Sequence, residues 1–111
     1  GIRYDHVEAN IKGHIKAVQD EFDIVLFNGD SIGLVEIKYK AHPNDIQILA
    51  DKKADNFRKL FPDYRDYKIY LGLAGFSVPP EVEAQAKERG IAVLRQKGEV
   101  LEKFDKNLKA Y

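Results

Sequence analysis

Two short stretches decide the fold of this chain: Glu21-Phe22-Asp23 and Glu36-Ile37-Lys38. They lie on either side of a turn sequence, Asn28-Gly29-Asp30-Ser31, and each belongs to a run of β-forming residues, around 18–28 and 31–40. The pattern predicts a β-hairpin, with the two strands antiparallel. Because side chains alternate between the faces of a strand, Glu36 and Lys38 point one way and Ile37 points the other.

The position of Asp23 relative to Glu36 depends on the length of the hairpin loop. A loop of two residues (Gly29-Asp30) or of four (Asn28 to Ser31) puts Asp23 directly opposite Glu36. A type I′ turn at Asn28-Gly29 instead puts Glu21 opposite Glu36 and leaves Asp23 one diagonal away, still on the same face. A three-residue loop without a bulge puts Asp23 on the other face.

The predicted third strand changes character along its length. Ile32 and Leu34 begin a face that continues as Glu36, Lys38 and Lys40, whereas the opposite face stays apolar. We expect this strand to be buried on both sides at its start and to open into a polar cleft at its end. Two carboxylates that converge beside an ammonium group suit a hard divalent cation and an attacking water. The leading hypothesis is a metal-dependent hydrolase of phosphate esters.

The remaining elements follow from periodicity and from capping residues. A strand is expected over Ile2–Ile11, with Val7, Ala9 and Ile11 on one face, and a turn around Lys12-Gly13-His14. After His42-Pro43 a helix is predicted with Asn44 as its N-cap and Gln47 completing a capping box. Its inward residues are predicted to be Ile46, Leu49, Ala50, Lys53 (through its stem), Phe57, Leu60 and Phe61, and Pro62 ends it.

The second half of the chain predicts a parallel unit. A nearly continuous apolar run, Tyr67–Phe76, indicates a central strand. A short helix follows from Pro79-Pro80-Glu81 to Gly90, and Ile91–Arg95 forms a strand parallel to the one before it. The predicted fold class is a mixed α/β (α+β) domain of order βββαβαβ. It has a central sheet of about five strands, in which a three-stranded antiparallel meander joins a βαβ unit, with helices on both faces.

Composition limits the function classes. The chain has 111 residues, 44% hydrophobic and 32% charged, which is enough for one domain with one core and predicts a single domain over 1–111. No run is long and apolar enough to span a membrane. Cysteine is absent, which excludes disulfides and thiolate metal sites and fits a cytoplasmic protein. The 18 basic and 18 acidic residues balance, so we expect no tight nonspecific coating of nucleic acid.

With these residues and this element order, the chain resembles the PD-(D/E)XK nuclease superfamily, which has the restriction-endonuclease-like fold, and it is most similar to small bacterial members. The resemblance covers nearly the whole chain in element order, and its residue content is Asp23, Glu36 and Lys38. It implies that Asp23, Glu36 and the Ile37 backbone carbonyl bind Mg²⁺ or Mn²⁺. It also implies that Lys38 is the catalytic ammonium, and that the substrate is nucleic acid, DNA rather than RNA.

Members of the superfamily usually begin with a helix that supplies another acid, and no such helix precedes Ile2. A helix encoded upstream, a helix from a partner chain, or lost activity would each explain this difference. Glu21, Lys40 and Gln47 are candidate accessory residues.

Two alternatives to an active nuclease follow. The first is an inactive module of the same fold that binds nucleic acid or assembles with a partner, for example as a homodimer. The second is an unrelated domain in which Glu36 and Lys38 form a surface ion pair that contributes no more than about 1 kcal/mol.

Overall fold

A computed structural model describes residues 6–15, 18–95 and 108–111. The strands are β1 (His6–Ile15), β2 (Val18–Asn28), β3 (Ser31–Lys40), β4 (Lys68–Ser77) and β5 (Ala92–Arg95). The α-helices are α1 (Pro43–Ile48), α2 (Ala54–Leu60) and α3 (Pro80–Glu88). A π-helical turn, Leu49–Lys53, joins α1 to α2, and a 3-10 turn, Pro62–Tyr64, follows α2. Within the described residues, no helix is long and apolar enough to cross a membrane.

The five strands form one mixed sheet in chain order. β1, β2 and β3 pair antiparallel, and β3, β4 and β5 pair parallel through the two helical crossovers. Asn28 pairs with Ser31, so the hairpin loop is Gly29-Asp30, with Gly29 in the left-handed region at φ 55°. This is one of the registers in which Asp23 comes opposite Glu36. The predicted fold class and the order of the elements along the chain are confirmed.

The larger core lies between one face of the sheet and the helices. β3 and β4 contribute Ile32, Leu34, Ile69, Leu71 and Leu73, and all three α-helices add buried residues to the same cluster. On the opposite face a smaller cluster contains Val35, Ala92 and Leu94, against which Leu108 packs. The helices in the described part of the chain therefore cover one face of the sheet, rather than both as predicted.

The turn predicted at Lys12-Gly13-His14 is wrong, because β1 continues through these residues to Ile15. Gly13 has a packing role instead. A Cβ atom added there would lie 2.9 Å from Leu60 Cδ1 and 3.1 Å from Leu60 Cβ. The glycine thus lets α2 approach the sheet closely, which is a recognised use of glycine within a strand.

The alternation predicted for the first strand is interrupted. The His6 ring lies close to the Phe27 ring, and Phe27 packs on the larger core. Ile11 packs on the same core, although strict alternation would place residues 6 and 11 on opposite faces of the strand. Between them Asn10 adopts a positive φ of 56°, which is uncommon for a residue other than glycine. Val7, predicted to share a face with Ile11, is 56% exposed. Residues 2–5 of the predicted strand lie outside the described part.

The start of the helix also differs from the prediction. His42, not Asn44, is the N-cap residue, and its backbone N–H donates to Asp45 Oδ2 at 2.8 Å. Gln47 is therefore not the capping partner. Pro43 at the first helical position favours this start, since the proline ring fixes a helical φ and needs no N–H partner there.

Candidate active site

The exposed half of β3 carries the predicted site. Ile32 to Val35 are buried, Glu36 and Lys38 are half-buried, and Ile37 is 51% exposed. Glu36 and Lys38 follow Leu34 on the helix-covered face, as alternation requires. The change along β3 from buried apolar residues to half-buried charged ones, expected from the sequence, is present in the structure.

Asp23 is fixed beside this strand by a bond to the backbone. The β2–β3 ladder has its last pair at Ile24 and Val35, and Asp23 is next in register, opposite Glu36. There the Asp23 carboxylate replaces a backbone carbonyl as hydrogen-bond acceptor, because its Oδ2 accepts the Ile37 N–H at 2.8 Å. A side chain thus satisfies a main-chain donor where the two strands separate, and it holds the carboxylate next to Glu36.

Lys38 lies between two carboxylates. Its Nζ is 3.8 Å from Glu36 Oε1 and 3.6 Å from Asp45 Oδ1. Asp45 is fixed at the start of α1 by its bond from the His42 N–H. Gly75, which pairs with Lys38 across the parallel β3–β4 ladder, has no room for a side chain, because a Cβ there would lie 2.9 Å from the Lys38 carbonyl oxygen.

A second lysine, Lys53, reaches the same acids from the helix. It is only 7% exposed and is the last residue of the π-helical turn. Its Nζ donates to Asp20 Oδ1 and to the Glu21 carbonyl oxygen, both at 2.6 Å, and lies 3.4 Å from Glu36 Oε2. The ammonium also sits 4.9 Å from the centre of the Phe22 ring, within the range of a cation–π contact. π-Helical turns are frequent at functional sites.

Asp20 and Glu36 respond to these surroundings in opposite ways. Burial opposes the ionisation of Asp20, but hydrogen bonds from Lys53, the Asn56 amide and the Glu21 backbone N–H outweigh it and lower the Asp20 pKa. Burial raises the pKa of Glu36, and the negative charge of Asp23 adds to this rise. The ammonium groups of Lys53 and Lys38 offset only part of it.

The charges of this cluster do not balance. Four carboxylates share two ammonium groups, so the cluster has a net charge of −2 when all are ionised: Asp20, Asp23, Glu36 and Asp45 against Lys38 and Lys53. Like charges that converge in a half-buried site are costly unless a cation joins them. The cluster therefore has the charge that a bound divalent cation would neutralise.

The predicted accessory residues are placed differently from one another. Glu21 offers its backbone carbonyl to Lys53, while its side chain is in an exposed position. Lys40 is exposed at the end of β3. Gln47 lines a separate cavity of about 610 Å³ together with Gln85 and Arg89, so the structure does not place it in the cluster.

The donor set for a metal ion is small. Within residues 6–15, 18–95 and 108–111, no group of three or more His, Cys, Asp or Glu side chains is arranged to hold a metal ion. Asp23 and Glu36, as two hard oxygen donors, fit a cation that keeps several water or substrate oxygens. Mg²⁺ binds in this way, commonly through one or two carboxylates.

Comparison with known proteins identifies the fold. No protein-family model matches the chain, and no curated protein matches it. Among solved structures, the chain is similar to a protein of unknown function, AF1548, with a TM-score of 0.55 and 14% identity over 79% of this chain. It is also similar to a repair endonuclease from Pyrococcus abyssi, with a TM-score of 0.53 and 14% identity over 80% of this chain. The chain has the restriction-endonuclease-like fold.

The likeness concerns the fold alone, because sequence identity is low. The chain spans 47% of the length of the first structure and 39% of the second, which is less than half of either. Within this restriction-endonuclease-like domain, the three residues predicted from the sequence meet at the end of β3. The sequence pattern did not reveal the role of Asp20 or Asp45, or the pairing of the Lys53 ammonium with Asp20. The sequence did contain a signal for this pairing, because Lys53 lies between Leu49 and Phe57 on the apolar stripe of the helix. A lysine in such a position needs a buried partner.

Proposed function

We propose that this domain is a divalent-metal-dependent nuclease that hydrolyses phosphodiester bonds, in DNA rather than RNA. One observation carries the proposal. The β2–β3 register brings Asp23 opposite Glu36, while Lys38 lies beside Glu36 on an open strand end. The nuclease fold supports it, and so does the likeness to a repair endonuclease.

Each side chain has a role in the proposed reaction. Asp23, held by the Ile37 N–H, and Glu36 would hold the metal ion. Lys38, which is only partly exposed and has long contacts to its carboxylate partners, is free to turn its ammonium toward a phosphate oxygen or the attacking water. There it would stabilise the negative charge that develops on the phosphoryl group. Asp45 keeps the Lys38 ammonium close to the site before substrate binds.

A bound Mg²⁺ or Mn²⁺ would supply Lewis acidity and lower the pKa of a coordinated water. The residues of this chain hold the site in position. The buried first half of β3 fixes the strand, and the helix start at His42 fixes Asp45. The close β3–β4 approach at Gly75 fixes the backbone of Lys38.

The surface around the strand end suits a nucleic acid. Lys40 is exposed beside the site. On the other face of the same strand ends, Tyr39 is 81% exposed and Phe76 is 63% exposed, and their rings lie 5.7 Å apart on the neighbouring strands. Cationic and aromatic side chains together bind phosphates and stack on bases. This surface supports nucleic acid as the substrate, which the protein would meet in the cytoplasm.

A second candidate is an inactive module of the same fold, which binds nucleic acid or assembles with a partner such as a second copy of the chain. One observation favours it: both Glu36 oxygens already face an ammonium group, at 3.8 Å from Lys38 and 3.4 Å from Lys53. An ion pair of this kind stabilises a structure without any metal.

The test compares Lys38→Ala with Lys40→Ala, which removes an exposed lysine two residues further along the same strand face. Cleavage of labelled single- and double-stranded DNA and RNA is followed in Mg²⁺, in Mn²⁺ and in EDTA. We expect cleavage of DNA that requires the metal and falls by about a hundredfold or more in Lys38→Ala. It should fall far less in Lys40→Ala, because an exposed lysine contributes only to phosphate binding and not to the chemical step. Metal-independent cleavage, or full activity of Lys38→Ala, would refute the mechanism. Nucleic-acid binding without any cleavage would favour the inactive module.

A further inference from the structure

Lys53 is a buried charged residue that the proposed reaction does not use. Its exposed fraction is 7%, and it belongs to the helix, whereas its partners belong to β2 and β3. A lysine at such a position loses its hydration and is retained only when acceptors surround the ammonium. The contacts of Lys53 show which acceptors do so.

Three oxygen atoms converge on the Lys53 ammonium from three residues. They are Asp20 Oδ1 at 2.6 Å, the Glu21 carbonyl at 2.6 Å and Glu36 Oε2 at 3.4 Å. An ammonium group has three donors, so this set matches its capacity. A carboxylate, a backbone carbonyl and a second carboxylate are also the oxygen ligands that hard divalent cations take.

The ammonium is fixed in this place. Asn56 Nδ2 donates to the other oxygen of Asp20 at 3.1 Å, which orients the carboxylate toward Lys53. On another side the ammonium faces the Phe22 ring at 4.9 Å, and Phe22 is itself buried. Withdrawing the ammonium would leave Asp20 with its charge uncompensated in a half-buried position.

Many nucleases that hydrolyse phosphodiesters use two metal ions about 3.5–4 Å apart, which share a carboxylate. Here Glu36 would be the shared carboxylate, because its Oε1 lies 3.8 Å from the Lys38 Nζ and its Oε2 lies 3.4 Å from the Lys53 Nζ. We propose that the Lys53 ammonium, held by Asp20 and the Glu21 carbonyl, takes the place of a second metal ion, so that this site binds a single divalent cation. The inference rests on the proposed function, because it assigns the metal stoichiometry of that same site.

The test is a calorimetric Mn²⁺ titration of the wild-type chain, Lys53→Met and Lys52→Met. Methionine keeps the length of the side chain without its charge, and Lys52 is an exposed neighbour on the same helical turn. The wild type and Lys52→Met should bind one Mn²⁺. Lys53→Met should bind one ion more, because the three oxygens lose their internal cation. Adding Asp20→Asn to Lys53→Met should weaken the additional site by about tenfold or more, since it removes a charged ligand.

The outcomes separate this inference from the proposed function. One possible outcome is that the wild type binds no Mn²⁺ whereas Lys53→Met binds one ion. This outcome would support the role of Lys53 and refute the metal-dependent nuclease. Identical isotherms for wild type and Lys53→Met, or two ions in the wild type, would overturn the inference.

Thermal melting covers the case in which Lys53→Met folds poorly. Mn²⁺ should then restore its melting temperature toward that of the wild type, because the ion replaces the lost charge. A variant that stays unfolded at saturating Mn²⁺, or that gains no more melting temperature than the wild type, would also overturn the inference.

Discussion

The buried ion pair between Asp20 and Lys53 gives the most direct test of how the site is held together. Replacing Asp20 with alanine removes the acceptor of a 2.6 Å bond from the ammonium of Lys53, whose side chain is only 8% exposed. It also removes the acceptor of the Asn56 amide. Glu36 and the Glu21 carbonyl remain near the Lys53 ammonium, so the positive charge of Lys53 is still partly compensated.

The expected loss follows from these contacts. A hydrogen bond to a charged group contributes about 1.5–3 kcal/mol, and a neutral donor left without its partner adds about 1 kcal/mol more. We therefore expect Asp20→Ala to lower the free energy of unfolding by about 2.5–4 kcal/mol, a large share of the stability of a small domain. The measurement is urea denaturation at neutral pH in EDTA, followed by circular dichroism.

Asp51→Ala is the matched control. Asp51 accepts from Arg89 at 2.7 Å, nearly the same length, but both side chains are more than 40% exposed. Because solvent screens such a pair, its removal should change stability far less. The pKa of Asp20 is lowered, so its contribution is present above its ordinary value of 3.8 and is lost as the pH falls below it. Equal losses in the two variants, or a difference that persists at low pH, would refute the role given to Asp20.

Two further predictions concern the same fold and site. Burial raises the pKa of Glu36 above its ordinary value of 4.5, so its ionisation costs stability as the pH rises through that region. In metal-free buffer, Glu36→Gln should gain stability relative to the wild type between about pH 4 and pH 7, measured by urea denaturation, and a difference that does not change with pH would contradict this. Gly13→Ala brings a Cβ within 2.9 Å of Leu60 Cδ1 and should cost about 1–3 kcal/mol. The cost should fall clearly in a Leu60→Ala background, and a double-mutant cycle without coupling would rule out this contact.

The hairpin and the order of the elements could be predicted because they depend on local signals. Alternation and the turn sequence gave β2 and β3 the bounds that the structure shows, 18–28 and 31–40. The two-residue loop was one of the open alternatives, and its register brings Asp23 opposite Glu36. Proline at the start of α1 and of α3, and the glycine at residue 90 with φ 69°, indicated where these helices begin and where α3 ends.

The errors arose where distant contacts override a local signal. Gly13 is typical of a turn, but its real neighbour is Leu60, 47 positions further along the chain, so no local pattern could reveal it. Lys53 was correctly placed on the inward face of the helix, but its partner Asp20 lies 33 residues away on a strand. The pairing depends on how the helix docks on the sheet, which periodicity does not specify.

A crystal of the chain soaked in Mn²⁺ tests the central claim most directly, through anomalous scattering at the end of β3. We expect one peak bound by carboxylate oxygens of both Asp23 and Glu36, at about 2.0–2.6 Å as hard cations require. The Lys53 ammonium should stay on Asp20. A saturated crystal with no peak there, or with a peak that contacts neither carboxylate, would contradict the metal-binding role of Asp23 and Glu36.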